Sequence, residues 1–173
     1  WNGLRATPQS VIGRSLPVTS GDGLQIEPAI SPNGRLVAFT AGSPSRSRIY
    51  VTRLEGGTPW AMSNDSNSVE LLPRWSPDND ALAYLSGSNA YVAAAVGGTP
   101  RLIAAGGPGE AAIRSASWSP RGDSIVVVRH DSLLVVPLDG PGFRFVGVGT
   151  QIHSCVWSPD GRWIACVSGN WVS

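Results

Sequence analysis

An all-β fold, a partial β-propeller of four-stranded antiparallel blades, is predicted by three observations. A Ser-Pro turn recurs as Ser31-Pro32-Asn33-Gly34, Ser76-Pro77-Asp78-Asn79, Ser119-Pro120-Arg121-Gly122 and Ser158-Pro159-Asp160-Gly161, its prolines 45, 43 and 39 residues apart. Each copy opens onto a strand that is apolar at consecutive positions, as in Leu36-Val37-Ala38-Phe39 and Ile125-Val126-Val127-Val128. Two identical Gly-Gly-Thr-Pro turns, Gly56 to Pro59 and Gly97 to Pro100, stand 41 residues apart. A period of about 40 residues belongs to propeller blades, solenoid turns or helical arrays. The apolar strands select the propeller, because neighbouring blades cover both faces of an inner strand, whereas a one-sided sheet alternates. A β-sandwich is the runner-up.

Every copy follows one order: a strand ending in Ile or Trp, the Ser-Pro turn, an apolar strand, a polar loop, a third strand, a Gly-rich turn and a fourth strand. The first unit reads Ile26 to Ile30, Leu36 to Ala41, Ile49 to Leu54 and Trp60 to Ser63. The second reads Leu71 to Trp75, Ala81 to Ser86, Ala90 to Val96 and Arg101 to Ala104. Ser115 to Trp118, Ser124 to Arg129, Leu133 to Leu138 and Arg144 to Gly147 make the third. The fourth offers Ile152 to Trp157, Arg162 to Ser168 and the start of a third strand at Trp171. One propeller domain is therefore expected, with blades over 26–70, 71–112 and 113–151, a truncated blade over 152–173, and a 1–25 segment whose Ser15 to Thr19 supplies the outer strand of a preceding blade. Proline presets the second position of each turn, Ser or Asp bonds the local backbone, and Gly or Asn tolerates the left-handed position. Asp80 and Asp123 read as polar punctuation after their turns. Ile30, Trp75, Trp118 and Trp157 sit one residue before each Ser-Pro, where an indole can bury on the order of 200 Å² between blades while its N–H finds a loop carbonyl.

Composition narrows the function classes. The 173 residues carry 42% hydrophobic and only 14% charged side chains, with 21 Gly and 14 Pro, which means many turns and few charged helix faces. A formal charge of +1 without a run of like charges argues against nucleic-acid or membrane-surface partners. All 13 basic residues are arginine, and Arg46, Arg48 and Arg53 straddle a loop and a strand as solvated side chains do. No apolar run reaches the ~18 residues of a membrane span. Without an initiating Met or an apolar signal core, the sequence reads as a portion of a longer protein. Pairing centred on the last Ser-Pro turn would set Cys155 opposite Ile164 and Cys166 opposite His153. That offset predicts two buried free thiols.

Catalytic motifs are sparse. There is no Gly-x-Ser-x-Gly elbow, and the two histidines lack an acidic partner at ligand spacing. His130 reads as a polar turn residue before Asp131, and the proline in Gly106-Gly107-Pro108-Gly109 removes an amide that a phosphate cradle needs. No metal, no cofactor and no enzymatic activity are expected. Repeat alignment instead gathers Gln25, Glu27, Glu70, Arg114 and His153 where the innermost strands begin, at the channel mouth. These five form the candidate partner-binding site, although each is also at home as a solvated loop residue.

The segment Cys155-Val156-Trp157-Ser158-Pro159-Asp160-Gly161-Arg162-Trp163-Ile164-Ala165 resembles the WD-like blade signature of TolB-type β-propellers. Pro73-Arg74-Trp75-Ser76-Pro77-Asp78, and Ile49-Tyr50-Val51 before Gly56-Gly57-Thr58-Pro59, are similar to the same family's strands. The likeness covers residues 26 to 173. The third turn departs from it at Arg121, where the signature has Asp, and Ala116 and Ser117 lack the proline seen at Pro28 and Pro73. The resemblance implies a protein-interaction or sensing scaffold binding a protein or peptide, and an extracytoplasmic location. Its alternative is the gating propeller of a prolyl-oligopeptidase-type serine peptidase. A lectin-like propeller would instead expose tryptophans such as Trp1, Trp60 or Trp163. Because family propellers close with six or more blades, the arc is expected either to continue in a longer chain or to close by oligomerising.

Overall fold

The computed structural model describes residues 17–19, 23–63, 69–107 and 112–169. The first sheet holds β1 (Leu24–Ile30), β2 (Leu36–Ser43), β3 (Arg46–Arg53) and β4 (Trp60–Ala61). The second holds β5 (Glu70–Trp75), β6 (Ala81–Ser86), β7 (Asn89–Ala94) and β8 (Arg101–Ala104). The third holds β9 (Ile113–Trp118), β10 (Ser124–Arg129), β11 (Ser132–Pro137) and β12 (Arg144–Val148), and a hairpin of β13 (Ile152–Trp157) and β14 (Ile164–Ser168) follows. Each four-stranded sheet runs in sequence order, antiparallel throughout, and no sheet closes on another. These are propeller blades arranged in an open arc. The expected strands match to within three residues at each end. Of the outer strand expected over Ser15 to Thr19, Pro17, Val18 and Thr19 are not in a strand, while Ser15 and Leu16 lie outside the described residues, as does Trp171.

The buried strands show why their apolar residues run consecutively. Ala38, Ile49, Val51 and Met62 of the first blade meet Trp75, Leu82 and Tyr84 of the second. Ala83 and Leu85, the alternate residues of β6, turn the other way, toward Ile113, Ile125 and Val127 of the third blade. Val126 and Val128 then face Ile152 and Cys155 of the terminal hairpin. Side chains on a strand alternate between faces, so a strand with blades on both sides must be apolar at every position. Burying each such Val, Leu or Ile contributes about 1.5–3 kcal/mol before conformational entropy is charged against it.

The cysteines correct the free-thiol expectation. Cys155 and Cys166 form a disulfide, and they lie directly opposite each other in the β13–β14 ladder. The reason is the turn. The Ser158 N–H donates to the Trp163 carbonyl, so four residues rather than two lie outside the ladder. Trp157 consequently faces Ile164, and the whole register moves by two residues.

Candidate functional site

The first strands of the blades build the site. β1, β5, β9 and β13 are each the terminal strand of their sheet, and consecutive ones are neighbours, so they line the inner side of the arc. All four run toward their Ser-Pro turns. Their opening residues, including Gln25, Glu70, Arg114 and His153, therefore lie at the opposite end of the arc's inner side.

Every innermost strand carries a β-bulge there. In β1 the ladder jumps between Ile26 and Ala29, and in β5 between Leu71 and Arg74, so Glu27-Pro28 and Leu72-Pro73 occupy matching bulges. Proline has no N–H to lose, which suits such a position. The third and fourth blades lack that proline, and their bulges hold one residue each, Arg114 and His153. A bulge breaks the ladder and re-aims the side chain it carries. Glu27 and Leu72 adopt φ 56, the left-handed region that non-glycine residues seldom occupy.

The five residues divide into braces and surface groups. Glu70 is 2% exposed. Its Oε2 accepts the Ile49 N–H at 3.0 Å, its Oε1 accepts the Ser63 hydroxyl, and its backbone carbonyl accepts the Ser47 hydroxyl. Glu70 thus joins the first two blades, with both carboxylate oxygens engaged. Glu27, half-buried, spans the same pair of blades from the other side: its Oε2 accepts the Leu72 N–H at 2.6 Å and the Thr40 hydroxyl at 3.3 Å. Ser115, which replaces Glu27 in the third blade, accepts the Cys155 N–H, a shorter version of the same brace. Gln25 accepts the Thr19 hydroxyl. His153 places Nε2 2.8 Å from the Gly169 carbonyl, so that nitrogen carries the proton. Arg114 sits half-buried at its bulge. Gln25, Glu27, Arg114 and His153 are thus half-buried at this end of the innermost strands, and Glu70 alone of the five is buried.

The opposite end of the innermost strands is a row of interlocked turns that the repeat alone did not reveal. In each turn the serine hydroxyl accepts the N–H of the residue five positions on, at 2.9 Å from Leu36, Ala81 and Trp163 and 3.2 Å from Ser124. It donates in turn to Asn33, Asp78 or Asp160 at the third position. Arg121 cannot accept, and in the third turn Asp123 takes over at 2.7 Å. Asp123 is therefore the turn's acceptor rather than mere punctuation. These hydroxyl bonds are the largest reason that Asp78, Asp123 and Asp160 all hold their protons less tightly than an ordinary aspartic acid. Neighbouring turns touch: the Asn33 N–H donates to Asn79 Oδ1 at 2.8 Å, and Gly122 and Gly161 lie against Pro77 and Pro120.

Tryptophans tie the blades on this side. The Trp75 indole donates to the Ala29 carbonyl and the Trp118 indole to the Arg74 carbonyl, each at 2.9 Å. Trp157 breaks the series, its buried Nε1 having no acceptor among the described residues. It borders a groove of about 950 Å³ between the third blade and the terminal hairpin, lined also by Arg121, Asp123, Asp139, Arg144 and Asp160. Of the tryptophans a lectin-like propeller would expose, Trp60 is half-buried and its indole donates to the Ala95 carbonyl, Trp163 is 72% exposed, and Trp1 lies outside the described residues. Among the described residues no three His, Cys, Asp or Glu side chains are grouped to hold a metal ion, and no helix is long and apolar enough to cross a membrane.

The fold is shared with solved structures. The chain is similar to TolB from Acinetobacter baumannii, with a TM-score of 0.67 and 24% identity over 85% of this chain and 38% of that one. A putative TolB from Agrobacterium tumefaciens gives 0.68 and 24% over 87% of this chain and 56% of its own. A puromycin-hydrolyzing peptidase of Mycobacterium tuberculosis gives 0.64 and 17%, with 80% of this chain and 25% of the peptidase covered. In sequence, the "Uncharacterized peptidase YuxL" of Bacillus subtilis (strain 168) is 28% identical over 114 residues, which cover 58% of this chain and 16% of that protein. The chain thus spans little more than half of these relatives at most. The family model described as the TolB beta propeller domain matches residues 10–170, and the chain belongs to that family.

Proposed function

We propose that this propeller arc is a non-catalytic scaffold that binds a protein or peptide partner at the channel mouth. The observation that carries the reading is the bulge repeated in all four innermost strands. It carries Arg114 and His153 in the third and fourth strands and Glu27 in the first, at one end of the arc's inner side, with Gln25 just before the first bulge and Glu27 and Glu70 bracing the first two blades. Backbone held in a sparsely populated conformation marks a place where the surrounding structure imposes a shape, and such places concentrate at binding surfaces. An arginine and a histidine flanking backbone groups suit the carbonyls and carboxylates of a peptide.

Selection of a displayed random-peptide library on the immobilised chain tests this. Peptides should be enriched on the wild type and bind at least about tenfold more weakly to Arg114→Glu and to His153→Ala, a loss of about 1.4 kcal/mol. Absence of enrichment, or equal binding by both variants, would remove the mouth as the site.

A second reading, the gating propeller of a serine peptidase, is favoured by one observation, the similarity to YuxL over 114 residues. In that case the partner at the channel is a peptide substrate in transit. Reading the coding sequence on both sides of this segment separates the two: a Gly-x-Ser-x-Gly elbow with later Asp and His supports the peptidase, and further blades without one support the scaffold.

A further inference from the structure

We propose that the Asn33-Gly34 pair is a site of hydrolytic deamidation, held closed by a hydrogen bond from the second blade. The other turns of the chain supply the comparison. Asn33 is the amide counterpart of Asp78 and Asp160, which stand at the same position of their turns. Its Oδ1 accepts the Ser31 hydroxyl at 2.8 Å and the Arg35 N–H at 3.0 Å, just as Asp160 Oδ1 accepts the Ser158 hydroxyl at 2.6 Å and the Arg162 N–H at 3.0 Å. An aspartate at position 33 therefore finds both of its donors in place. The position is exposed in every turn, including that of Asp78, which has a turn on either side, so water reaches it. Glycine follows, and without a Cβ it leaves its nitrogen open to the asparagine side chain.

The conversion consumes water alone. The Gly34 nitrogen gives up its proton and attacks Asn33 Cγ, the Cγ–Nδ2 bond breaks, and the amide nitrogen leaves as ammonia with a proton from solvent. Water then opens the cyclic imide. Opening at the side-chain carbonyl gives aspartate, and opening at the main-chain carbonyl gives isoaspartate, whose backbone is longer by a methylene. In the closed turn the attacking nitrogen is engaged, because the Gly34 N–H donates to the Ser31 carbonyl at 2.8 Å. Loss of that proton is also what hydrogen exchange reads, so both processes wait on one opening of the turn. Asn79 holds the turn from across the blade boundary, its Oδ1 accepting the Asn33 N–H at 2.8 Å. It stands where the other turns have Gly34, Gly122 and Gly161, with left-handed backbone at φ 72. Asn79→Gly thus removes the acceptor and keeps the backbone conformation that the turn requires.

The test is incubation of the native chain at mildly alkaline pH, with peptide mapping that separates position 33 from the other Asn-Gly pair, Asn2-Gly3, and with hydrogen exchange at Gly34. Position 33 should convert to aspartate and isoaspartate with release of ammonia, at least about tenfold more slowly in the folded chain than in guanidinium chloride. Asn79→Gly should speed both conversion and Gly34 exchange in the folded chain by a common factor of at least about three, and should leave the rate in guanidinium chloride unchanged. Equal rates in the folded and denatured wild type, no product at position 33 in the folded Asn79→Gly chain, or acceleration of exchange without conversion would each overturn the proposal.

Discussion

β10 and β14 are the same strand of the repeat, each beginning just after its Ser-Pro turn, yet they live in different surroundings. Ile125, Val126, Val127 and Val128 are at most 1% exposed. At the matching positions Ile164 is half-buried, Ala165 and Cys166 are exposed, and Val167 is 61% exposed. Ile164 packs on the cluster it shares with the third blade as Ile125 packs on the one shared with the second, so part of one face is kept. On the other face of β14, which in β10 holds Val126 and Val128 against the next blade, none of the described residues packs. Burial here belongs to the neighbours a strand has, and stability in such a repeat is a sum of blade and interface contributions.

The largest effect expected from this contrast is a cavity. Ile125→Ala should cost about 2–5 kcal/mol, because Ile125 is enclosed by two blades that cannot collapse onto the void. Val167→Ala should stay within about 0.5 kcal/mol, as exposed substitutions usually do. Equilibrium denaturation of both variants checks the pair, and a comparable loss at Val167 would mean that this face of β14 is covered by residues outside those described.

Trp118 and Trp157 sharpen the comparison with smaller numbers. Trp118→Phe removes the indole bond to the Arg74 carbonyl, a loss of about 0.5–1.5 kcal/mol. Trp157→Phe removes a buried N–H that has no acceptor among the described residues, so it should be neutral within about 0.5 kcal/mol or stabilising. A large loss at Trp157 in the same denaturation experiment would show that its indole finds a partner in solution.

Much of this was legible in the residues. The period of the Ser-Pro turns and the runs of apolar residues determine blades, strand order and the two-sided burial of β6 and β10, because each is a local signal repeated. The inter-blade tryptophans were legible for the same reason. What escaped were offsets that depend on where a hairpin is centred. The Cys155–Cys166 pairing turned on a four-residue loop after Ser158, and counting from the proline gave a shorter one. The site was legible as positions and not as roles: alignment placed Glu70 beside Arg114 and His153, but it could not reveal that the Ile49 N–H and the Ser63 hydroxyl, from the preceding blade, both bond its carboxylate. Asp123 was likewise undervalued, since its importance arises from Arg121 occupying the usual acceptor position.

Gly34 and Gly122 allow a finer test within the turns. Both have left-handed backbone, φ 70 and 73, but an added Cβ would meet nothing at Gly34 and would lie 3.6 Å from Pro77 Cδ at Gly122. That distance is an ordinary contact. Alanine should therefore cost about 1 kcal/mol at either position, the conformational penalty alone. A much larger loss for Gly122→Ala would mean that the turns pack more tightly against one another than their separation indicates.

The smallest effect lies in acid. Asp78, Asp123 and Asp160 have pKa values lowered in the folded chain, chiefly by bonds from Ser76, Ser119 and Ser158. A lowered folded value means that the ionised form is stabilised by folding. The contribution is complete above the unfolded value of about 4 and fades as pH falls through the lowered one. Denaturation midpoints should accordingly be flat above that range and decline below it. Asp160→Asn, in the exposed hairpin, and Asp123→Asn, in the complete blade, should each flatten the decline by a similar amount, because both carboxylates are solvent-exposed and held by local hydroxyls rather than by burial. If Asp123→Asn alone changed the acid limb, the turn of the complete blade would be drawing on its neighbours, and the two regions would differ in their turns as well as in their cover.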